Sequence, residues 1–179
     1  MLSSNKKIGY SIFSISLIIL ILGSIGYSFD EQVNDVPTPN TPRAVYFADE
    51  PLQENPLSFI ISAKSTITWD RSDIFLVIAD SDKKEQCDNM TPLEMISTSS
   101  DTCKAEDMDY EIVGIDNSSG LEWNVKSGDY YVGIGSMSDS VPEDFELNVE
   151  YTVDLNLSAS GYFISLAIGL FGFIFLKYD

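Results

Sequence analysis

Two long uncharged apolar runs bracket a central stretch in which apolar and polar residues alternate. Ile8 to Phe29 is 22 residues and Leu157 to Leu176 is 20. A helix rising about 1.5 Å per residue needs about 20 residues to cross some 30 Å of hydrocarbon. The pattern therefore predicts transmembrane helices over 8–29 and 158–176, with a short N-terminal segment (1–7) and a C-terminal tail (177–179). Small residues recur along both runs: Gly9, Ser16 and Gly23 every seven residues, then Gly161, Ser165 and Gly169 every four, followed by Gly172. Such residues let helices approach closely in lipid, so they are the candidate helix-packing positions, toward each other or toward another membrane protein.

Between the runs the period is two, the spacing of strands. In SFIISAKSTITW, residues Phe59, Ile61, Ala63, Ile67 and Trp69 share a face, with Ile60, Ser62, Lys64, Thr66 and Thr68 opposite. IFLVIA (Ile74 to Ala79) is a continuous apolar run, as expected of a strand buried on both sides. Leu121, Trp123 and Val125 alternate with Glu122, Asn124 and Lys126 after the turn-rich NSSG. FELNVEYTVDLNL gives the longest alternation, with Phe145, Leu147, Val149, Tyr151, Val153, Leu155 and Leu157 on one side. Strands at this spacing predict an all-β fold over 45–157: an antiparallel β-sandwich of about seven to eight strands. DEQVNDVPTPNTPRA (30–44), with Pro37, Pro39 and Pro42, reads as a proline-rich tether. Lys83 to Asp107 reads as a long excursion from the sheet. The last strand meets the second helix within about four residues, which is expected to hold the sandwich close to the membrane.

Charge orients this arrangement. Lys6 and Lys7 precede the first run and Lys177 follows the second. Cationic flanks stay in the cytoplasm, so both termini are expected inside and the central domain outside the cell membrane. A cleavable signal peptide is the competing reading of the first run, given its basic start and small residues Gly23, Ser24 and Gly26. It too exports the middle. Of the 28 acidic residues, 27 lie between Asp30 and Asn156 against seven basic ones, a net −20. A surface of that sign repels nucleic acid and anionic headgroups, and either stays solvated or binds cations.

Cys87 and Cys103, the two cysteines, both fall in the exported part, where a structural disulfide is the expectation. In SGDYYVGIGSM, a turn leads into a strand whose Tyr130, Val132, Ile134 and Ser136 are expected to face inward. The other face is Tyr131, Gly133 and Gly135. Its bareness suits either a twisted strand or a flat strip on which a ligand or another backbone lies, with Tyr131 as anchor. A dinucleotide loop is excluded, because Ser138 stands in place of the third glycine and no helix follows.

WNVKSGDYYVGIGSMSDSVPEDFELNVEY resembles the closing hairpin of small jelly-roll-like secreted sandwiches, and SDIFLVIADSD (Ser72 to Asp82) is similar to their aspartate-led earlier strand. The likeness is to the pre-peptidase C-terminal domain and to the GOLD domain of membrane cargo receptors. It implies a jelly-roll-like exported sandwich that binds something. Trafficking is not carried over, since no coiled coil precedes the second helix and Lys177-Tyr178-Asp179 holds no dibasic or diphenylalanine signal.

The chain contains no histidine, which removes Ser-His-Asp and Cys-His catalysis. Carboxylate pairs such as Asp70 with Asp73 are expected by chance at this acidity. Calcium is the candidate cofactor, on Asp80, Asp82 and Asp116, although neither loop has EF-hand spacing and Lys84 occupies a ligand position. Sequons at Asn89, Asn117 and Asn156 permit glycosylation. The expectation is a non-enzymatic, membrane-anchored sandwich that binds a partner protein, a second copy or a ligand. The alternatives are an accessory subunit assembling through its helices, and a calcium- or glycan-binding module.

Overall fold

A computed structural model describes residues 4–39, 41–96, 100–137 and 146–177. The chain divides into two compact units. One comprises 1–28, 55–63 and 154–179; the other comprises 29–54 and 64–153.

The first unit is built on two helices, α1 (Ser4–Ile25) and α4 (Ala159–Lys177). Both are long and apolar enough to cross a membrane. α1 stops four residues earlier than the apolar run, because Gly26 takes a left-handed backbone (φ 73°) and its N–H closes on the Leu22 carbonyl at 3.0 Å. Only glycine enters that region without a steric penalty, which makes it the usual helix terminator. Ser158 caps α4, its Oγ accepting the Gly161 N–H at 3.0 Å.

Eight strands are present among the described residues, in two four-stranded antiparallel sheets consistent with a β-sandwich. They are β1 (Tyr27–Pro37), β2 (Val45–Phe47), β3 (Ile61–Trp69), β4 (Ile74–Asp80), β5 (Ile112–Gly114), β6 (Leu121–Asn124), β7 (Tyr130–Ser136) and β8 (Glu146–Leu157). One sheet runs β1-β8-β3-β6 and the other β2-β7-β4-β5. Of the successive strands, β4 and β5 are the pair that lie side by side in one sheet; the other connections cross between sheets. Two short helices, α2 (Ser81–Asp88) and α3 (Pro92–Ile96), follow β4.

The two cores explain the apolar run of β4. Ile74, Leu76 and Ile78 point between the sheets, where they join Ile67, Trp69, Leu121, Trp123 and Leu147, with Tyr130, Val132 and Ile134 packed against them. Phe75, Val77 and Ala79 point the other way, into a second cluster with Val45, Cys87, Cys103 and Tyr110. The described parts of the excursion, 83–96 and 100–107, thus cover the outer face of the β4 sheet. Trp69 Nε1 donates to the Ile74 carbonyl at 3.0 Å across the β3–β4 connection.

Two further boundaries differ from expectation. The tether of 30–44 is not one: its first part is strand β1, paired on the open edge beside β8. The stretch before Pro37 contains no breaker, and an edge strand tolerates a proline at its end, where no ladder hydrogen bond is required of it. Thr152 Oγ1 donates to Asp30 Oδ1 at 2.6 Å, and the Tyr151 hydroxyl donates to Glu31. Phe59 is not on the inward face of β3. That strand begins at Ile61, after a turn that leaves Phe59 exposed. Within β3 the alternation holds, with Ala63, Ser65, Ile67 and Trp69 buried. Phe145, expected on β8, lies outside the described residues, as does Ser138.

Candidate functional site

The helix pair is the most constructed part of the first unit. α1 and α4 run antiparallel: Gly9 sits against Gly172 and Leu176, Ser16 against Gly169 and Ser165, and Gly23 against Leu157. A Cβ on Gly169 would lie 2.6 Å from Ser16 Oγ, and one on Gly172 would lie 2.8 Å from the Phe13 nitrogen. Gly161, Ser165, Gly169 and Gly172 form the buried face of α4. Ser16 Oγ donates to the Ser165 carbonyl at 2.6 Å, which satisfies a hydroxyl midway along two apolar helices. Gly161 differs from the others, since its missing side chain makes room for the Ile60 carbonyl instead of for α1. The outward faces are apolar, from Ile15, Ile18 and Leu22 on α1 to Phe163, Leu170 and Phe173 on α4. The Tyr162 hydroxyl donates at 3.2 Å to the Gly23 carbonyl, near the end of the pair remote from Lys6, Lys7 and Lys177.

The Gly133–Gly135 strip of β7 is not an open platform. Its glycines are buried and the strip is filled from both sides. Gly135 stands opposite Val45 on β2 and Phe75 on β4, while Gly133 stands opposite Phe47 and Val77. A Cβ on Gly133 would lie 2.7 Å from both Val45 and Val77, and one on Gly135 would lie 2.1 Å from Phe75 Cζ. Large side chains on the flanking strands lean across the gap that the glycines leave, which sequence alternation alone does not reveal. Tyr131 is half-buried, its ring 5.4 Å from Lys84 Nζ. The three residues thus do not constitute a free binding face.

The buried polar centre of the sandwich unit lies under the excursion. Cys87, in the last turn of α2, is bonded to Cys103 with their Cα atoms 5.7 Å apart. Beside this staple Lys83 Nζ pairs with Asp107 Oδ2 at 2.6 Å, both side chains 5 % exposed. Lys83 also donates to Gln86 Oε1 at 2.8 Å and lies 5.5 Å from the centre of the Tyr110 ring. The Asp107 carboxylate accepts the backbone N–H groups of Cys103 (2.6 Å) and Asp109 (3.0 Å). Burial alone would raise the Asp107 carboxyl, but the bonds from Lys83, Asp109 and Cys103 outweigh it and hold it below 3.8. Burial, helped by the charge of Asp107, pushes the Tyr110 hydroxyl well above its usual value. The pair was invisible in the sequence because Lys83 and Asp107 are 24 positions apart.

Two of the three candidate calcium residues have structural employment. Asp80 caps α2, its Oδ1 accepting the Lys83 N–H at 2.9 Å. Asp116 Oδ1 accepts the N–H and hydroxyl of Ser118, at 3.0 and 2.8 Å, in a local turn, and these bonds hold its carboxyl below the ordinary value. A depression of about 400 Å³ collects Asp80, Asp82 and Asp109, but Lys83 and Gln86 line it too, and Asp116 does not. Among the described residues no group of three His, Cys, Asp or Glu side chains is placed to hold a metal ion. The pair Asp70 and Asp73 is likewise engaged: Asp70 accepts from Asn148 Nδ2 at 2.7 Å, and Asp73 pairs with Arg71 at 2.6 Å.

No family model matches the chain, and no curated protein matches it. Among solved structures, similarity is found to a chain of the disulfide-linked pili that form Bacillus endospore appendages. The identity is 12 %, the TM-score 0.32, and the alignment covers 74 % of this chain and 91 % of that one. A chain from tomato aspermy virus is 12 % identical with a TM-score of 0.33, over 73 % of this chain and 77 % of that one. A chain of the cyanophage Pam1 capsid is 15 % identical with a TM-score of 0.24, over 74 % and 86 %.

Proposed function

We propose that this is a surface protein of the cell membrane in which α1 and α4 form a two-helix anchor. Both termini are cytoplasmic, and the exported sandwich engages a partner protein or ligand near the bilayer without catalysing a reaction. The observation that carries this reading is the antiparallel helix pair. It has small residues inside, a satisfied Ser16 hydroxyl at mid-length and apolar residues outside, with the flanking lysines gathered at one end. Unpaired polar groups are costly in hydrocarbon, so this pattern suits lipid on every outward side.

In this reading the sandwich is a jelly roll, with β1-β8-β3-β6 as one sheet and β2-β7-β4-β5 as the other. That suits the exported, binding role implied by the likeness to pre-peptidase C-terminal and GOLD domains. The helices' small-residue faces are occupied by each other within one chain. This favours an anchor over an accessory subunit that assembles through those faces.

Protease added to intact cells tests the sidedness. Cleavage within 30–156 from outside is expected; cleavage only after the cytoplasmic face is opened refutes it. Crosslinking in native membranes through the exposed Lys64 tests the binding role. Partners captured there support it, whereas partners captured only from a photo-reactive group at Leu170 favour the helix-assembled subunit.

A further inference from the structure

We infer that the turn Asn55–Ile60 is a third membrane contact, an apolar loop seated in the interfacial layer of the bilayer. The inference rests on the anchoring reading and adds to it.

The chain is uncharged from Asn55 to Ala63, within a protein of net charge −18. The turn nevertheless displays its apolar side chains: Leu57 is 53 %, Phe59 66 % and Ile60 38 % exposed. Its backbone is closed on itself. Asn55 O accepts the Ser58 N–H at 3.1 Å, and Leu57 O accepts those of Ile60 and Ile61 at 2.7 and 2.8 Å. The Asn55 side chain accepts the Leu57 N–H at 3.2 Å and donates to the Ile61 carbonyl at 2.8 Å. Pro56 has no N–H to satisfy. A loop that meets water with greasy side chains while bonding the N–H groups of Leu57, Ser58 and Ile60 within itself suits a medium poor in hydrogen-bond partners.

Its position supplies that medium. Ser158 N–H donates to the Ile60 carbonyl at 2.8 Å, and Ser158 Oγ to the Phe59 carbonyl at 2.7 Å. Ser160 Oγ donates to the same Phe59 carbonyl, and Gly161 lacks a Cβ where the Ile60 carbonyl passes. The turn is thereby fixed level with the first turn of α4. That helix has 19 residues, about 28 Å, so covering about 30 Å of hydrocarbon requires all of it. The first turn of α4, and the loop bonded to it, then coincide with the water–lipid boundary. Tyr162, one turn along, suits the same depth, where tyrosine concentrates. Because the loop is bonded to the first turn of a helix that the anchoring reading places in lipid, the occupant of its apolar side is lipid rather than a protein.

The test uses the full chain in bilayers of phosphatidylcholine carrying bromine at the headgroup end of the acyl chains or near their tips. Phe59→Trp is compared with Leu170→Trp, an outward position in mid-α4, each read above the emission of the parent's Trp69 and Trp123. Phe59→Trp is expected to lose emission to the shallow bromines and Leu170→Trp to the deep ones. If Leu170→Trp is quenched and Phe59→Trp matches the parent, the loop does not touch lipid and this inference falls while the anchor stands. Absence of quenching at Leu170→Trp removes the anchor, and the inference with it. Crosslinking of the loop to a protein in native membranes, without lipid quenching, also overturns it.

Discussion

Adding one methyl group at Gly135 tests whether the bare strip on β7 is filled by its neighbours. A Cβ there would lie 2.1 Å from Cζ of Phe75, a side chain that is fully buried and walled by Val45, Val77 and the disulfide. The ring has no free space to swing into, so Gly135→Ala should cost toward the upper end of the about 1–3 kcal/mol typical of overpacking. Phe75→Leu shortens the obstructing side chain and should by itself cost roughly 1–2 kcal/mol through the void it leaves. Combined, the two changes partly cure each other, with a coupling of about 0.5–3 kcal/mol. Urea unfolding of the full chain in detergent, followed by the emission of buried Trp69 and Trp123, gives all four stabilities, provided the m-values agree. A neutral Gly135→Ala, or strictly additive changes, would refute the packing account and reopen the strip as a binding surface.

Other outcomes follow from the buried polar centre. Replacing Cys87 and Cys103 by serine opens a loop of sequence separation 16 and should lower stability by about 3 kcal/mol, read as a lower Tm that reductant no longer changes. Lys83→Met leaves the Asp107 carboxylate buried without its cation, a loss of about 3–5 kcal/mol that adding Asp107→Asn should partly restore, since the amide oxygen removes the charge yet still accepts a backbone N–H. The Asp107 carboxyl titrates lower in the folded chain than its unfolded value of 3.8. Its stabilising contribution is therefore complete above about pH 3.8 and lost as pH falls through the folded value. Acid unfolding curves of Asp107→Asn should flatten in that window; an unchanged acid limb would count against the pair.

How far these features were legible depends on the distance over which each is encoded. The helices and the faces of β3, β6, β7 and β8 follow from periodicity within a dozen residues, so alternation in SAKSTITW and LEWN was enough. Burial of IFLVIA on both sides was equally local. Three features needed long-range partners. β1 is a strand only because β8 needs a neighbour, and its acidic residues and nearby prolines mask it. The second core exists because α2 and the segment around Cys103 and Ala105 fold back over Phe75 and Val77, and the cysteines hint at the fold-back without locating it. The Gly135–Phe75 fit depends on a register that pairs positions 60 residues apart. Phe59 shows the reverse error, a local alternation overridden by the Pro56 turn.

The pairing of α1 with α4 also sets a timetable. Ser16 finds its acceptor 149 positions later, and β1 lies beside β8, so these early segments wait for partners made much later. Until α4 emerges, α1 would carry an unfilled glycine groove and an unanswered Ser16 hydroxyl. A product cut short before residue 146 would lack both an inner strand of the first sheet and the answering helix. Synthesis of α4 is thus itself the step that closes the helix pair, and copies cut short before it should be marked for removal by the surfaces they fail to hide.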